Sequence, residues 1–201
     1  MIRVVAFDIG KVLLDFDYGI FVKTMAADCD RSEPELDTFL NQSPLLAEYE
    51  SGQLTSKEFF AIVQKETGYR KTEAEFAAIF ENIFTPIPEM IELHRELVKR
   101  GMRTFTLSNT NEMAVRHIAA TYDFWPRFEG HILSHEVKSL KPAPEIYAAL
   151  EQTAGCTAAE IAYLDDRPEN ITAATNRDWK AIQHESSAKT RTDLLGIIGS
   201  F

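Results

Sequence analysis

The chain is short of several residue types, and each shortage excludes something. It holds two cysteines, Cys29 and Cys156, in 201 residues. No disulfide framework can be built from so few, so both are expected to be free thiols acting as small apolar filler. Nine glycines and eight prolines are too few for a collagen-like or low-complexity chain. No run of about 18 apolar residues occurs, so no membrane span and no membrane partner are expected. Positive charge is scarce as well: 21 Lys and Arg face 31 Asp and Glu, a net charge of −10, with a sequence pI near 5.0. Nucleic-acid binding needs a basic face, so no nucleic-acid partner is expected. A small anion is not excluded, because a local site can be positive on an acidic surface. The opening MIRVVAFD has Asp8 where a signal peptide would keep an apolar stretch, and a cytoplasmic protein is the resulting expectation.

What is present is ordinary globular composition, 45% hydrophobic and 26% charged. The length suits one domain, or one domain carrying an insertion. Short β-branched runs recur at Val4–Phe7, Thr104–Leu107, His131–Leu133, Ile161–Leu164 and Ala181–Ile182, continuous as strands buried on both faces should be. Helical stripes lie between them. One runs through Met90, Ile91, Leu97 and Val98, entered at Pro88 and stopped by Gly101. Strands alternating with helices predict an α/β fold with a doubly wound, Rossmann-like parallel sheet.

The stretch from about Tyr18 to Pro86 breaks that rhythm, with helix signals and no strand signals. Ser32–Glu35, Thr55–Glu58 and Thr72–Glu75 have capping-box spacing. Phe59, Ile62, Val63, Phe76, Ile79, Phe80 and Ile83 form helical stripes that suit a small apolar core. Thr85-Pro86-Ile87-Pro88 reads as a return linker. The expected organisation is therefore residues 1–17 and 87–201 as an α/β core, and residues 18–86 as a helical insertion after the first strand.

In open α/β sheets ligands bind beyond the carboxyl ends of the strands. Asp8 ends the first strand, Ser108-Asn109 the second and Asp165-Asp166 the fourth, while Lys141-Pro142 follows the third. Three carboxylates at one edge repel unless a cation neutralises them, and oxygen ligands suit Mg²⁺. Ser108, at the mouth of a helix, offers a hydroxyl and backbone N–H donors to phosphate oxygens. Lys141 adds a positive point charge beside a carboxylate able to act as nucleophile. Together they point to Mg²⁺-assisted phosphoryl transfer onto Asp8 followed by hydrolysis.

Phe7-Asp8-Ile9-Gly10-Lys11-Val12-Leu13-Leu14-Asp15, Leu107-Ser108-Asn109-Thr110, Lys141-Pro142 and Leu164-Asp165-Asp166-Arg167-Pro168-Glu169-Asn170 resemble, in order, the four motifs of the haloacid dehalogenase-like hydrolases. The insertion resembles the small helical cap of that family's first cap class, and Glu48-Tyr49-Glu50-Ser51-Gly52-Gln53-Leu54 resembles a stretch common in such caps. The first motif is closest to the subgroup holding bacterial sugar-1-phosphate phosphatases. The resemblance implies Asp8 as nucleophile and Lys141 as the residue neutralising phosphate. Ser108 and Asn109 would bind phosphate. Asp8, Asp165, Asp166 and the backbone carbonyl of Gly10 would hold Mg²⁺. The implied partner is a small phosphorylated substrate, a sugar phosphate among the candidates, with the chain a monomer or homodimer.

Most phosphatases of that family carry a second Asp two residues after the nucleophile as general acid and base, a group typically worth about 10²–10⁴-fold. Here Gly10 stands in its place. The missing acid leaves open a catalytically weak phosphate-binding or regulatory relative; a metal-independent 2-haloacid dehalogenase is the other alternative, and Gly10 and the Asp165-Asp166 pair argue against it. Lys11 and Asp15 are expected to have structural loop roles. Arg167 could pair with the acids or touch the insertion. The five histidines, His94, His117, His131, His135 and His184, lack metal-ligand spacing and are expected to be structural. Tyr18, Phe21, Glu48 and Tyr49 are the insertion residues expected to face the site.

Overall fold

The computed structural model describes residues 1–41, 43–81 and 83–199. Strand β1 (Val4–Phe7) leads through a tight loop into β2 (Leu14–Phe16). Five helices follow: α1 (Tyr18–Ala26), α2 (Glu33–Leu40), α3 (Pro44–Glu50), α4 (Ser56–Thr67) and α5 (Glu73–Glu81). The chain returns through β3 (Phe84–Pro86) into α6 (Pro88–Lys99), β4 (Arg103–Ser108), α7 (Glu112–Thr121), β5 (Gly130–Leu133) and the short α8 (Ser134–Val137). It ends with α9 (Pro144–Ala154), β6 (Ile161–Asp165), α10 (Pro168–Thr175), β7 (Lys180–Gln183) and α11 (Ser187–Ile198).

The main sheet has strand order β5-β4-β1-β6-β7, and every pairing in it is parallel. The fold is the expected α/β arrangement with helices on both faces. Val5 and Phe7 pack with Leu97, Leu164 and Leu194 on one face, and Val4 and Ala6 with Phe105, Leu150 and Tyr163 on the other. Burial of both faces explains why β1 reads as unbroken apolar sequence. Because β1 is central, Asp8 at its carboxyl end falls between the ends of β4 and β6. That is the switch point where the strand order reverses.

One feature differs from expectation. Residues 84–86 are not a plain linker but a strand, paired antiparallel with β2 through Leu14↔Pro86, Asp15↔Thr85 and Phe16↔Phe84. Two chain segments thus cross together between the sheet and the helical insertion. In the insertion, the expected capping boxes form at Ser32–Glu35 and Thr55–Glu58 and at Thr72–Glu75. Its core is aromatic: Phe21, Phe59, Phe60, Tyr69, Phe76 and Phe80 are buried together with Met113 and Ala114 of α7. The insertion consequently rests on α7, directly beside the carboxyl edge of the sheet.

Candidate active site

The sheet brings Asp8, Ser108, Asp165 and Asp166 to one edge, and the loop between α8 and α9 brings Lys141 to them. The Asp8 amide extends the ladder by donating to Leu164 O at 2.8 Å. Its carboxylate Oδ1 accepts from Ile9 N at 2.7 Å, and Oδ2 lies 3.0 Å from Lys141 Nζ. The same ammonium donates to Asp165 Oδ2 at 2.7 Å and to Leu107 O at 2.9 Å. All three N–H donors of Lys141 therefore have acceptors in a buried setting. Asn109 holds that loop in place: its Nδ2 donates to Lys141 O at 3.0 Å, and its Oδ1 accepts from Lys141 N at 2.7 Å.

Asp165 and Asp166 are adjacent but differ in surroundings. Asp165 is fully buried. Its oxygens accept from Lys141, from the Tyr163 hydroxyl, from Arg167 N at 2.8 Å and from Asn170 Nδ2 at 3.0 Å. Burial alone would raise its pKa, yet Lys141 and these hydrogen bonds hold it below the ordinary carboxylate value. Asp166 is less buried, and desolvation together with its charged neighbour Asp165 raises its pKa. Asp8 is pushed up to about 7, chiefly by burial, with Asp165 and Asp166 adding repulsion and Lys141 opposing it. Burial disfavours the charge on Lys141, but Asp8 and Asp165 outweigh that effect and raise its pKa above the ordinary value.

Carboxylate oxygens of Asp8, Asp165 and Asp166 lie within 4.8 Å of one another. Three hard oxygen donors clustered beside one lysine, with Asp8 raised chiefly by burial and further by its two acidic neighbours, suit a small divalent cation such as Mg²⁺. Among the five histidines, none belongs to that cluster.

A cavity opens above this edge. Its floor includes Ile9, Gly10, Ser108 and Asn109, and Tyr18, Glu50, Phe80 and Phe84 reach it from the insertion side. A Cβ on Gly10 would meet Phe16 Cε1 at 2.9 Å, so the Phe16 ring occupies the space beside the glycine. Lys11, at φ 59°, closes the turn after it. Its ammonium pairs with Asp15 and donates to Phe16 O at 3.0 Å, as a loop-structuring residue would. Arg167 sends its side chain to Glu169 at 2.6 Å.

The four insertion residues expected to face the site divide. Tyr18 lines the cavity. Phe21 and Tyr49 are buried in the insertion's own core, and Glu48 opens on a separate cleft with Lys138 and Ser139. These placements correct the expectation for Phe21, Tyr49 and Glu48: the aromatic side chains satisfy the apolar core instead of the site. Sequence reasoning missed Glu50. The α3 turn that points Tyr49 inward directs Glu50 into the cavity, where its carboxyl is only partly exposed. Burial pushes its pKa up to about 7, against the pull of Arg167 and Lys141. The spacing of an acid next to a buried aromatic in the Glu48–Leu54 stretch was the available signal.

Comparison with known proteins adds to this geometry. The sequence matches the haloacid dehalogenase-like hydrolases over residues 2–176. It is 26% identical to a D-ribitol-5-phosphate phosphatase of Bacteroides thetaiotaomicron, with 100% of both chains covered. It is 25% identical to a sesquiterpene phosphatase of Aspergillus oryzae over 96% of this chain and 95% of that protein. A crystal structure of a Bacteroides thetaiotaomicron enzyme with bound magnesium and inorganic phosphate superposes with a TM-score of 0.80 at 22% identity, covering 91% of this chain and 94% of the other.

Proposed function

The chain belongs to the haloacid dehalogenase-like hydrolases, and within that family we propose that it is a Mg²⁺-dependent phosphatase of a small phosphorylated metabolite, a sugar or sugar-alcohol phosphate. The observation that carries this reading is the bridge made by Lys141 between Asp8 at 3.0 Å and Asp165 at 2.7 Å, with Asp166 in the same carboxylate cluster. The phosphatase relatives support a phosphoric monoester as the substrate class.

In this mechanism Asp8 is the nucleophile. One of its oxygens attacks phosphorus while Lys141 holds the carboxylate and offsets charge on the phosphoryl oxygens. The Ser108 hydroxyl and backbone N–H groups of the turn before α7 receive the remaining phosphoryl oxygens. Asn109 acts chiefly by clamping the Lys141 loop, since its amide is already bonded there. Asp8, Asp166 and the Gly10 carbonyl would hold the cation, with Asp165 behind them fixing Lys141. When bound, the cation neutralises the clustered acids and withdraws charge from the phosphoryl group. Water then attacks the phosphorus of the aspartyl phosphate and regenerates Asp8. Residues 18–86 act as a cap that shields this step from bulk water, over a catalytic body formed by 1–17 and 87–201.

The test is hydrolysis of an aryl phosphate with Mg²⁺ or EDTA, by the native protein and by Asp8→Asn. Turnover that needs Mg²⁺ and falls by a factor on the order of 10³ or more in Asp8→Asn is the expected result. Turnover unchanged by Asp8→Asn sinks the mechanism. Metal-independent halide release from a 2-haloacid identifies a dehalogenase instead. Phosphate binding without turnover on any phosphate ester identifies a binding protein.

A further inference from the structure

The phosphatase reading leaves one chemical role without a residue. An alkoxide leaving from phosphorus needs a proton, and the attacking water must lose one. Gly10 supplies neither, and the Phe16 ring fills the space where a side chain at that position would begin. Among the described residues lining the cavity over Ile9, Gly10, Ser108 and Asn109, Glu50 is the one carboxylic acid.

Resting on the phosphatase reading, we propose that Glu50, contributed by the helical insertion, is the acid–base residue of this enzyme in place of a carboxylate at position 10. Its placement is firm. The Ser134 hydroxyl donates to Glu50 O at 2.6 Å, and Lys138 Nζ donates to Gly52 O at 2.6 Å. At Gly52, φ is +66° and an added Cβ would meet His135 O at 2.1 Å, so the backbone after Glu50 sits against α8 in a conformation that glycine permits. Tyr49 secures the preceding residue: its hydroxyl accepts from Met113 N at 3.2 Å and shares a hydrogen bond with Ser56 Oγ at 2.7 Å. The end of α3 is therefore tied to the catalytic body on both sides of Glu50. Three ionisable groups act on its carboxyl or respond to it: Lys141 from the loop before α9, Arg167 from the start of α10 and Tyr18 from α1. With its acidity near neutral, the group can give and take a proton under ordinary conditions.

The proton balance closes over two steps. In the first, an Asp8 oxygen bonds to phosphorus and the ester P–O bond breaks. The leaving oxygen keeps that electron pair and takes the Glu50 proton, departing as the alcohol. In the second, the Glu50 carboxylate takes a proton from water as the water oxygen bonds to phosphorus. The Asp8–phosphorus bond breaks, its electrons return to Asp8, and phosphate leaves with Glu50 protonated again.

The test uses Mg²⁺-loaded full-length protein and a series of ring-substituted phenyl phosphates, comparing kcat/KM for native, Glu50→Gln and Glu50→Asp. Glu50→Gln is expected to lose about 10²-fold on phenyl phosphate and far less on p-nitrophenyl phosphate, whose leaving group needs no proton. Native kcat/KM is expected to fall as pH rises through about 7, because the acid form is required. That limb should vanish in Glu50→Gln and survive in Glu50→Asp. An unchanged series, a loss uniform along the series, or an alkaline limb retained in Glu50→Gln overturns the proposal. Should Glu50→Gln fail to fold, Glu50→Asp carries the same test, since retracting the carboxyl should steepen the dependence on leaving group and a native slope overturns it. If Asp8→Asn is dead while Glu50→Gln behaves as native, only this inference fails; if the native protein hydrolyses no phosphate ester, the phosphatase reading fails first.

Discussion

The parallel-sheet body and the helical insertion are held together by different physics. In the body, the groups proposed to react are locked by polar bonds in a buried place: Lys141 and Asp165 have side-chain exposures of 1% and 0%, and their partners come from four separate segments. In the insertion, order comes from rings. Phe21 meets Phe76 and Phe80 edge-on at 5.4 Å, and Tyr49 stacks on Phe59 at 4.4 Å. Its ion pairs, such as Arg70–Asp30 and Lys71–Asp28, are exposed or half-exposed and contribute little. A polar lock fixes geometry to fractions of an ångström, which chemistry needs. An aromatic core tolerates re-packing and still carries a surface that can change with the substrate.

The largest effect should come from breaking the polar lock. Lys141→Met leaves Asp8 and Asp165 facing each other without their common cation. Activity is expected to fall by a factor on the order of 10³ or more, and removing one partner of a buried charge cluster costs roughly 3–5 kcal/mol. Enzyme assay and urea unfolding in EDTA read the two losses separately. Near-native activity would mean that Lys141 is a packing residue and that the polar bonds of the sheet edge do no more than the rings of the insertion.

Phe76→Ala tests the other side. Phe76 is fully buried and touches Phe21, Phe59, Phe60 and Tyr69. Its loss should cost about 3–5 kcal/mol, carried by the insertion. Hydrogen exchange is expected to quicken in α1, α4 and α5 while β1, β4 and β6 stay protected. Equal loss of protection in the sheet would show one cooperative unit instead of two differently built regions.

How much of this was legible beforehand follows from the range over which each signal acts. The strand ends carrying Asp8, Ser108 and Asp165-Asp166 were readable because doubly buried strands are locally distinct and their carboxyl ends follow by rule. The capping boxes were readable because a three-residue spacing is their whole signal. Strands β2 and β3 were not: each is three residues long, and Pro86 argues against a strand locally, so only pairing across the insertion creates them. The clamp of Asn109 on the Lys141 backbone and the Tyr163 hydroxyl on Asp165 are long-range or face-dependent contacts with no local imprint. Glu50 was hidden by the shortness of α3, seven residues, too few for periodicity to separate its inward face from its site face. Tyr49 attracted attention because it is aromatic, and that property is what buried it.

Acid should discriminate between the regions, because all five histidines lie outside residues 18–86. His94 is the strongest case. Fully buried, it stacks on Phe128 at 3.9 Å and shares a hydrogen bond between Nε2 and Thr104 Oγ1 at 3.0 Å, while Nδ1 has no hydrogen-bond partner among the described residues. Burial lowers its pKa from 6.5 to about 4. A lowered histidine pKa means the unfolded chain binds the proton more readily. Stability is therefore full above about pH 6.5, declines as pH falls, and levels off below about 4, for a total near 3 kcal/mol. Asp8 and Glu50, raised to about 7 in the fold, bind protons over the same window and oppose this loss, so the histidine share is read as the difference in urea midpoints between native and His94→Phe from pH 4.5 to 7. The variant should lose the share of one proton, leaving the parts from His131, which burial lowers to about 4, and from His135 and His184, which burial also lowers. An identical slope in the variant would mean that His94 titrates normally in the fold.

The smallest effect should come from a helix cap in the insertion. Thr55 closes a capping box at the start of α4: its N and Oγ1 donate to Glu58 Oε2 at 2.9 and 2.7 Å, and Oγ1 accepts from Glu58 N at 3.3 Å. Thr55→Ala removes the hydroxyl half of the box, at a cost of about 1 kcal/mol. The same helix carries Phe59 and Phe60 into the aromatic core, so the loss should appear as faster exchange along α4 and its neighbours. It lies away from the Lys141 cluster, and kcat on an aryl phosphate should stay at the native value. If catalysis falls with so small a change in the insertion, the ties of α3 to α7 and α8 do not hold Glu50 by themselves, and the packing of α4 positions it.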